Sequence, residues 1–262
     1  MRQLIFVLIL ANFVLYLIIF LYLNERNLVA FLNVGQGSAV LFKDKKNVFL
    51  YDTGKYPNLI IKEIDKNLPF YNKKIDILFL SHPDKDHYYA SFEILKRYKV
   101  RVIGVSPKES KDVNYLQFLN LAREKKIPIL VFQRGSQIFD NHFNFLVLHP
   151  EKIYEKENDN SLVIKVKGKN SFLLTGDIEK KAIQSLIKCC FDLLKADYFL
   201  VPHHGSRYSL DEKFYSLIQP KISIIQVGKN FYGHPHKEVI EVLKNFGKIW
   251  RTDLQKTLIV KE

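Results

Sequence analysis

The sequence predicts an α/β body of two β-sheets packed face to face with helices outside, preceded by one apolar helix. Three patterns carry that expectation. Apolar runs alternate with helical spacings up to Lys126, short strands crowd together from Ile127 onward, and residues 4–23 are almost free of polar side chains. The 262 residues are 47% hydrophobic, enough for a substantial core. We therefore expect an anchor over 1–27 and one body over 28–262.

Taking the elements in order, Leu4 to Leu23 holds one clearly polar residue, Asn12, in about the 20 residues that a helix needs to cross a bilayer. Ile18 to Leu23 offers no small residues for signal cleavage, so the segment reads as an uncleaved anchor. Arg2 ahead of it favours an extracytoplasmic body, although Arg26, Lys43, Lys45 and Lys46 follow closely behind. Leu28–Val34, Ser38–Phe42 and Val48–Tyr51 form an antiparallel start broken at Gly35-Gln36-Gly37 and at Asp44–Asn47. Leu59, Ile60, Glu63, Ile64 and Leu68 repeat at helical spacing over Pro57–Leu68, and Ile75–Leu80 is a buried strand. A helix over Tyr88–Tyr98, a strand over Val100–Val105 and a helix over Asn114–Lys126 continue the alternation. The short strands expected after it are Ile129–Phe132, Gln137–Phe139, Phe143–Leu148, Leu162–Val166, Ser171–Leu174 and Ile222–Val227. No repeat or Pro/Gly/Ser linker divides the body, and Glu151–Asn160 is a charged loop suited to a rim.

Chemistry concentrates after the strand ending at Leu80, in Ser81-His82-Pro83-Asp84-Lys85-Asp86-His87. Four side chains able to hold a cation fall within six residues at a strand's carboxyl end, where α/β folds place their sites. Alternate positions 82, 84 and 86 can face one side while adjacent Asp86 and His87 diverge, which suits two cations better than one. The competing reading is a polar turn with Asp86 as the cap of the next helix. Further strand ends carry Asp177 after Thr175-Gly176, His203-His204-Gly205-Ser206, Gly233-His234-Pro235-His236 and His149-Pro150. Seven of the eight histidines thus follow apolar runs, which favours a bimetal site over a cap.

The formal net charge of +13 points to polyanionic partners: nucleic acid, an anionic cell-surface polymer or an anionic membrane. A general lysine bias of the source would give the same number. Cys189 and Cys190 are adjacent and cannot staple a fold, so Cys189 is expected to pack as a small apolar residue beneath a helix.

Together with Asn33-Val34-Gly35-Gln36-Gly37, Asp52-Thr53-Gly54 and Asn158-Asp159-Asn160-Ser161-Leu162, these motifs resemble the metallo-β-lactamase superfamily. Within it the chain looks like the hydrolase domain of the ComEC family of competence DNA-uptake proteins. The resemblance runs from about Leu28 to the carboxyl end and implies a four-layer αββα sandwich with the site at the sheets' shared edge. It implies two divalent ions, Zn²⁺ or Mn²⁺, with His82 and Asp84 on the first, Asp86, His87 and His204 on the second, and Asp177 between them. His203 and His234 would face the scissile group as proton donor or oxyanion stabiliser, with Asp86 also in the catalytic set and Tyr89, Ser206 and Tyr232 lining the substrate. Asp84 stands where the superfamily commonly has His, which hardens the first site toward Mn²⁺. The family's third histidine has no clear counterpart; Asn160 or His149 is the candidate. Tyr89-Ala90 replaces a Gly pair, Asn33 replaces an Asp, and Ser38 an acidic residue.

The resemblance omits the family's multi-helix channel, so the expectation is a membrane-tethered hydrolase domain without a transport role. Its substrate is expected to be DNA, cut as a phosphodiester. The alternatives are a cell-surface phosphoester or other small ester, or a module that binds DNA or polymer without catalysis.

Overall fold

The computed structural model describes residues 2–23 and 27–262, with the backbone alone described at 2, 4 and 17–23. Helix α1 spans Arg2–Leu23, and its side chains from Ile5 to Tyr16 are exposed. Among the described residues no helix is long and apolar enough to cross a membrane; the side chains at 4 and 17–23 that would complete the expected anchor lie outside them.

Strands β1 (Leu28–Phe31), β2 (Val40–Lys43) and β3 (Val48–Tyr51) are antiparallel neighbours, as the Gly and Lys/Asn turns between them require. Helix α2 (Pro57–Asn67) carries the chain back to β4 (Lys74–Leu80), which pairs parallel with β3. Helices α3 (Lys85–Tyr88) and α4 (Ser91–Arg97) precede β5 (Lys99–Val105), and α5 (Val113–Glu124) precedes β6 (Ile129–Val131), both parallel additions. The chain then builds a second sheet. Strands β7 (Gln137–Phe139), β8 (Asn144–His149), β9 (Val163–Lys167) and β10 (Ser171–Leu174) are an antiparallel meander. Helix α6 (Lys180–Leu194), β11 (Tyr198–Leu200), α7 (Glu212–Ile218), β12 (Ile222–Ile225), α8 (Lys237–Leu243) and β13 (Lys248–Arg251) extend it in parallel. After α9 (Thr252–Gln255), β14 (Leu258–Lys261) returns to the first sheet beside β1.

Each sheet has seven strands, in the orders β14-β1-β2-β3-β4-β5-β6 and β13-β12-β11-β10-β9-β8-β7. Their facing surfaces bury Phe31, Phe42, Phe49, Phe79, Phe145 and Phe172. Phe42 meets Phe143, Phe145 and Phe172 edge-on at 5.5–5.8 Å, the arrangement that ring quadrupoles favour. The outer face of the first sheet packs Ala30, Leu50 and Leu78 under Ile60, Ile94 and Phe118 of α2, α4 and α5. The outer face of the second packs Leu173, Phe199 and Ile225 under Leu186, Phe214 and Val239 of α6, α7 and α8. This is the expected helix–sheet–sheet–helix sandwich, buried on both faces of its central strands, which is why those strands read as unbroken apolar runs.

Two local expectations are corrected. The helix after Pro83 begins at Lys85 with Asp84 as its N-cap, because the amides of His87 and Tyr88 both bond the Asp84 carbonyl; Asp86 is inside the helix and caps nothing. Cys189 and Cys190 form a disulfide with each other, Cys189 is exposed, and Cys190 is the buried one. The backbone at Cys190 (φ −135°, ψ 20°) leaves the helical region within α6, so the pair does not follow regular helical spacing.

Candidate metal centre

The carboxyl ends of β3, β4, β10 and β11 reach one edge of the sandwich, and each contributes a functional side chain there. After β4, the short α3 places Asp86 and His87 on adjacent helical positions. Its backbone is gripped by both Gly-containing motifs: the amide of Ser38 bonds the Asp86 carbonyl at 3.1 Å and that of Thr53 bonds the His87 carbonyl at 2.7 Å. Gly37 (φ +137°) permits this approach, since a Cβ there would lie 2.3 Å from the Asp86 carbonyl oxygen. Asp52, His203 and His204 hold left-handed φ of 58°, 51° and 54°, a strain of roughly 1–3 kcal/mol each that the surrounding packing must sustain.

Asp177, 3% exposed, is the centre of the arrangement. Its carboxylate lies 3.1 Å from His87 Nε2, 3.6 Å from His204 Nε2, and 3.9 Å from both His82 Nε2 and His203 Nε2. Asp86 Oδ2 is 3.2 Å from His204 Nε2, and the half-exposed Asp84 is 3.5 Å from His82 Nε2. Two overlapping groups, His82–His87–Asp177 and Asp86–His87–His204, each bring their ligand atoms within 4.8 Å of one another.

The opposite nitrogens fix how these rings stand. His204 Nδ1 donates to the Gln226 carbonyl at 2.8 Å, and His87 Nδ1 donates to Asp52 Oδ2 at 2.8 Å. Ser81 Oγ gives its proton to Asp52 Oδ2, so it accepts from His82 Nδ1 at 3.0 Å. All three rings thus aim Nε2 at Asp177, and all three Nε2 atoms are buried without a hydrogen-bond partner. Unpartnered imidazole nitrogens converging on a buried carboxylate, each steadied from behind, fit a divalent cation.

Electrostatics agree. Burial disfavours a charged His87, but the Asp177 and Asp52 carboxylates outweigh it and hold its pKa well above the usual imidazole range. His204 is raised in the same way, against burial, by Asp177 and Asp86. Asp177 stays far below the ordinary carboxylate range despite burial, because His87, His204 and His203 surround it. The buried carboxylates thus favour positive charge beside them. His234 is pushed down to about 4 by burial and by the neighbouring His203 and His204, so it is a neutral ring at pH 7.

His203 stands between Asp177 and Glu179, 3.7 Å from the latter, with its ring 5.3 Å from that of His234. Beyond them opens a cleft of about 740 Å³ whose lining includes Asp84, Asp86, Lys55, Lys85, Lys111, Lys229, Phe231 and Tyr232.

Not every expected residue joins the site. Asn160 uses both ends of its amide within its own loop, accepting from the Tyr154 amide and donating to the Tyr154 and Lys156 carbonyls. His149 is buried with Nε2 on the Asp159 carbonyl and its ring against Tyr154. Neither is in the groups around Asp177. Ser206 is fully buried, its Oγ accepting from the Tyr208 amide as a cap, and so does not line the cleft. Tyr89 sets its ring against Tyr88 and Phe92 and lies outside the described cleft lining. Only Tyr232 of that trio lines it.

The sequence reading missed Asp52, Ser81 and Gln226, which orient the three histidines. Asp52-Thr53-Gly54 was visible as a strand-end motif without a role. Gln226, within the expected strand Ile222–Val227, had no role assigned; it holds His204 through its backbone carbonyl. It also donates to the carbonyls of Leu32 and Ala39, tying the second sheet to the first.

Residues 32–229 match the metallo-beta-lactamase superfamily. The ComE operon protein 3 of Bacillus subtilis is 38% identical over 194 residues, 71% of this chain and 24% of that protein. Recombination protein 2 of Haemophilus influenzae is 34% identical over 223 residues, 82% of this chain and 26% of the relative. The chain therefore spans about a quarter of the length of these curated relatives. The solved metallo-beta-lactamase fold protein YhfI from Bacillus subtilis shares the fold, with a TM-score of 0.60 at 13% identity, covering 90% of this chain and 100% of that one. A divalent-metal site is what this fold implies, and the clusters around Asp177 supply its donors. The chain belongs to the metallo-beta-lactamase superfamily of metal-dependent hydrolases, and its body is similar to part of the competence-related, ComEC-like proteins.

Proposed function

We propose that this chain is a divalent-metal-dependent phosphodiesterase that cuts DNA, held at a membrane by α1. One observation carries the reading: the bare Nε2 atoms of His82, His87 and His204 converge on buried Asp177 beside a cleft flanked by four lysines. His82 and Asp84 would hold one cation, Asp86, His87 and His204 the other, with Asp177 shared. Zn²⁺ and Mn²⁺ are the candidates, the Asp84 carboxylate favouring the harder Mn²⁺. Bound cations supply Lewis-acid activation of water and neutralise charge developing on phosphate.

The chain's own groups do the rest. Lys55, Lys85, Lys111 and Lys229 attract and seat phosphates along the cleft, while exposed Phe231 and Tyr232 offer faces on which bases can stack. His203 is placed to hand a proton to the departing oxygen, with Glu179 behind its Nδ1. The neutral His234 ring beside it can donate a hydrogen bond to a phosphoryl oxygen. Similarity to competence proteins supports DNA as the substrate, and the apolar sequence of α1 supports the tether with an extracytoplasmic body.

The test is digestion of single- and double-stranded DNA by the metal-loaded chain, beside chromogenic phosphodiesters. Cleavage of DNA that Asp177→Ala abolishes is the expected result. Intact DNA with hydrolysed small diesters would move the substrate to another phosphoester. Intact DNA and diesters with retained DNA binding would leave a binding module.

A further inference from the structure

The edge of the sandwich opposite the metal centre gathers a second set of features that the hydrolytic reading leaves unused. Parallel strands β3, β4, β5 and β10 to β13 all start there, and the antiparallel β2, β7, β9 and β14 all end there. Exposed lysines mark those starts and ends: Lys45 and Lys46 in the β2–β3 hairpin, Lys73 before β4, Lys99 opening β5, Lys169 between β9 and β10, and Lys221 before β12.

Carboxylates are present at this edge, but they are turned inward. Asp44 accepts the amides of Lys46 and Asn47, Asp76 that of Val48, Asp197 that of Ser171, and Glu262 that of Lys169. Lys73 pairs with Asp65, itself 44% exposed, and Lys221 with Asp197, while the two lysine side chains remain 48% and 71% exposed. Asp65 aside, these acids hold loop backbone while the bases face out. Two aromatic side chains stand among them: Phe70, 84% exposed, in the loop before β4, and Phe139, 75% exposed, ending β7. Phe70 meets the exposed Tyr71 ring edge-on at 5.4 Å, so this edge presents apolar rings beside its lysines.

The chain's connectivity names the occupant. Helix α1 ends at Leu23 and β1 begins at Leu28, on this edge, so the four residues between them, five Cα–Cα steps, keep the apolar helix within about 18 Å of it. We infer that this basic, aromatic-studded edge lies flat on an anionic lipid bilayer, leaving the metal centre facing away from the lipid. Lysines meet the headgroup charge, and Phe70 and Phe139 enter the interfacial layer. The inference rests on the tether proposed for α1. A nucleic acid is disfavoured as occupant because the cleft lysines and Tyr232 lie on the opposite edge.

Lysine acetylation of the full chain, read by mass spectrometry on vesicles, tests this. On vesicles containing phosphatidylglycerol, Lys45, Lys46, Lys73, Lys99, Lys169 and Lys221 should react about fivefold more slowly than on pure phosphatidylcholine, and 0.5 M salt should remove the difference. Lys55, Lys85, Lys111 and Lys229 at the cleft should react equally on both, and Lys45→Glu with Lys46→Glu should restore the reactivity of Lys73 and Lys99. Sedimentation with pure phosphatidylcholine vesicles reports the tether separately. Equal reactivity of both lysine sets on anionic vesicles overturns the inference, whether or not the chain sediments. Protection of this edge by an oligonucleotide in the absence of lipid overturns it in favour of a nucleic-acid face.

Discussion

Asp52 illustrates how a residue that touches no substrate can govern the site. It accepts from the Ser81 amide, Ser81 Oγ and His87 Nδ1, all within 2.8 Å, and thereby sets two of the three metal-facing imidazoles. Asp52→Asn should preserve the fold while lowering metal affinity by about 10–100-fold, measured by titration with competing chelators. Unchanged affinity would mean that the rings are held by packing alone. His149, buried away from the centre, gives a different signature. Burial pushes its pKa down to about 4, whereas an unfolded histidine sits near 6.5. Between those values the unfolded chain binds a proton that the folded chain refuses. Stability should therefore fall as pH drops from about 6.5 to 4, by up to about 3 kcal/mol. Urea unfolding of His149→Gln against the wild type should show a flatter pH dependence over that window.

At the scale of elements, the β1–β2 loop matters because it carries the backbone grip on α3. Gly37→Ala would place a methyl against the Asp86 carbonyl at an unfavourable φ, displacing the turn that holds Asp86 and His87. A loss of about 2 kcal/mol or more, with loss of bound metal, is the expected outcome by urea titration and elemental analysis. Much of this architecture was legible because period and punctuation agreed. The runs at Ile75–Leu80 and Ser171–Leu174 are strands buried on both faces, and Pro57 opens α2 where its missing amide costs nothing. Boundaries were less legible where a tertiary bond decides them: α3 begins three residues before its apolar spacing does, since Asp84 accepts its first bonds. The ligand-type residues at strand ends were readable by their chemistry. Their orienting partners were not, because Asp52 acts on His87 across 35 residues and the Gln226 backbone carbonyl on His204 across 22, and spacing in a sequence carries no trace of that. Asn160 misled for the complementary reason: an amide near the expected ligand position satisfies its own loop instead.

For the molecule as a whole, the two ends of the strands divide the work. One edge brings carboxyl ends together around Asp177; the other gathers lysines and the entry of α1. The four cleft lysines should make DNA binding steeply salt-dependent. Reversing the cleft lysines, as in Lys111→Glu with Lys229→Glu, should lower that slope in binding isotherms, while Lys45→Glu with Lys46→Glu on the far edge should leave it nearly unchanged. The central claim is that scattered strand ends build a cage for cations. Its most direct test is elemental analysis of the purified chain and of Asp177→Ala, each after exposure to Mn²⁺ or Zn²⁺. The wild type should hold about two ions per chain and the variant markedly fewer; a wild-type chain that binds none, or a variant that keeps both, would contradict the account.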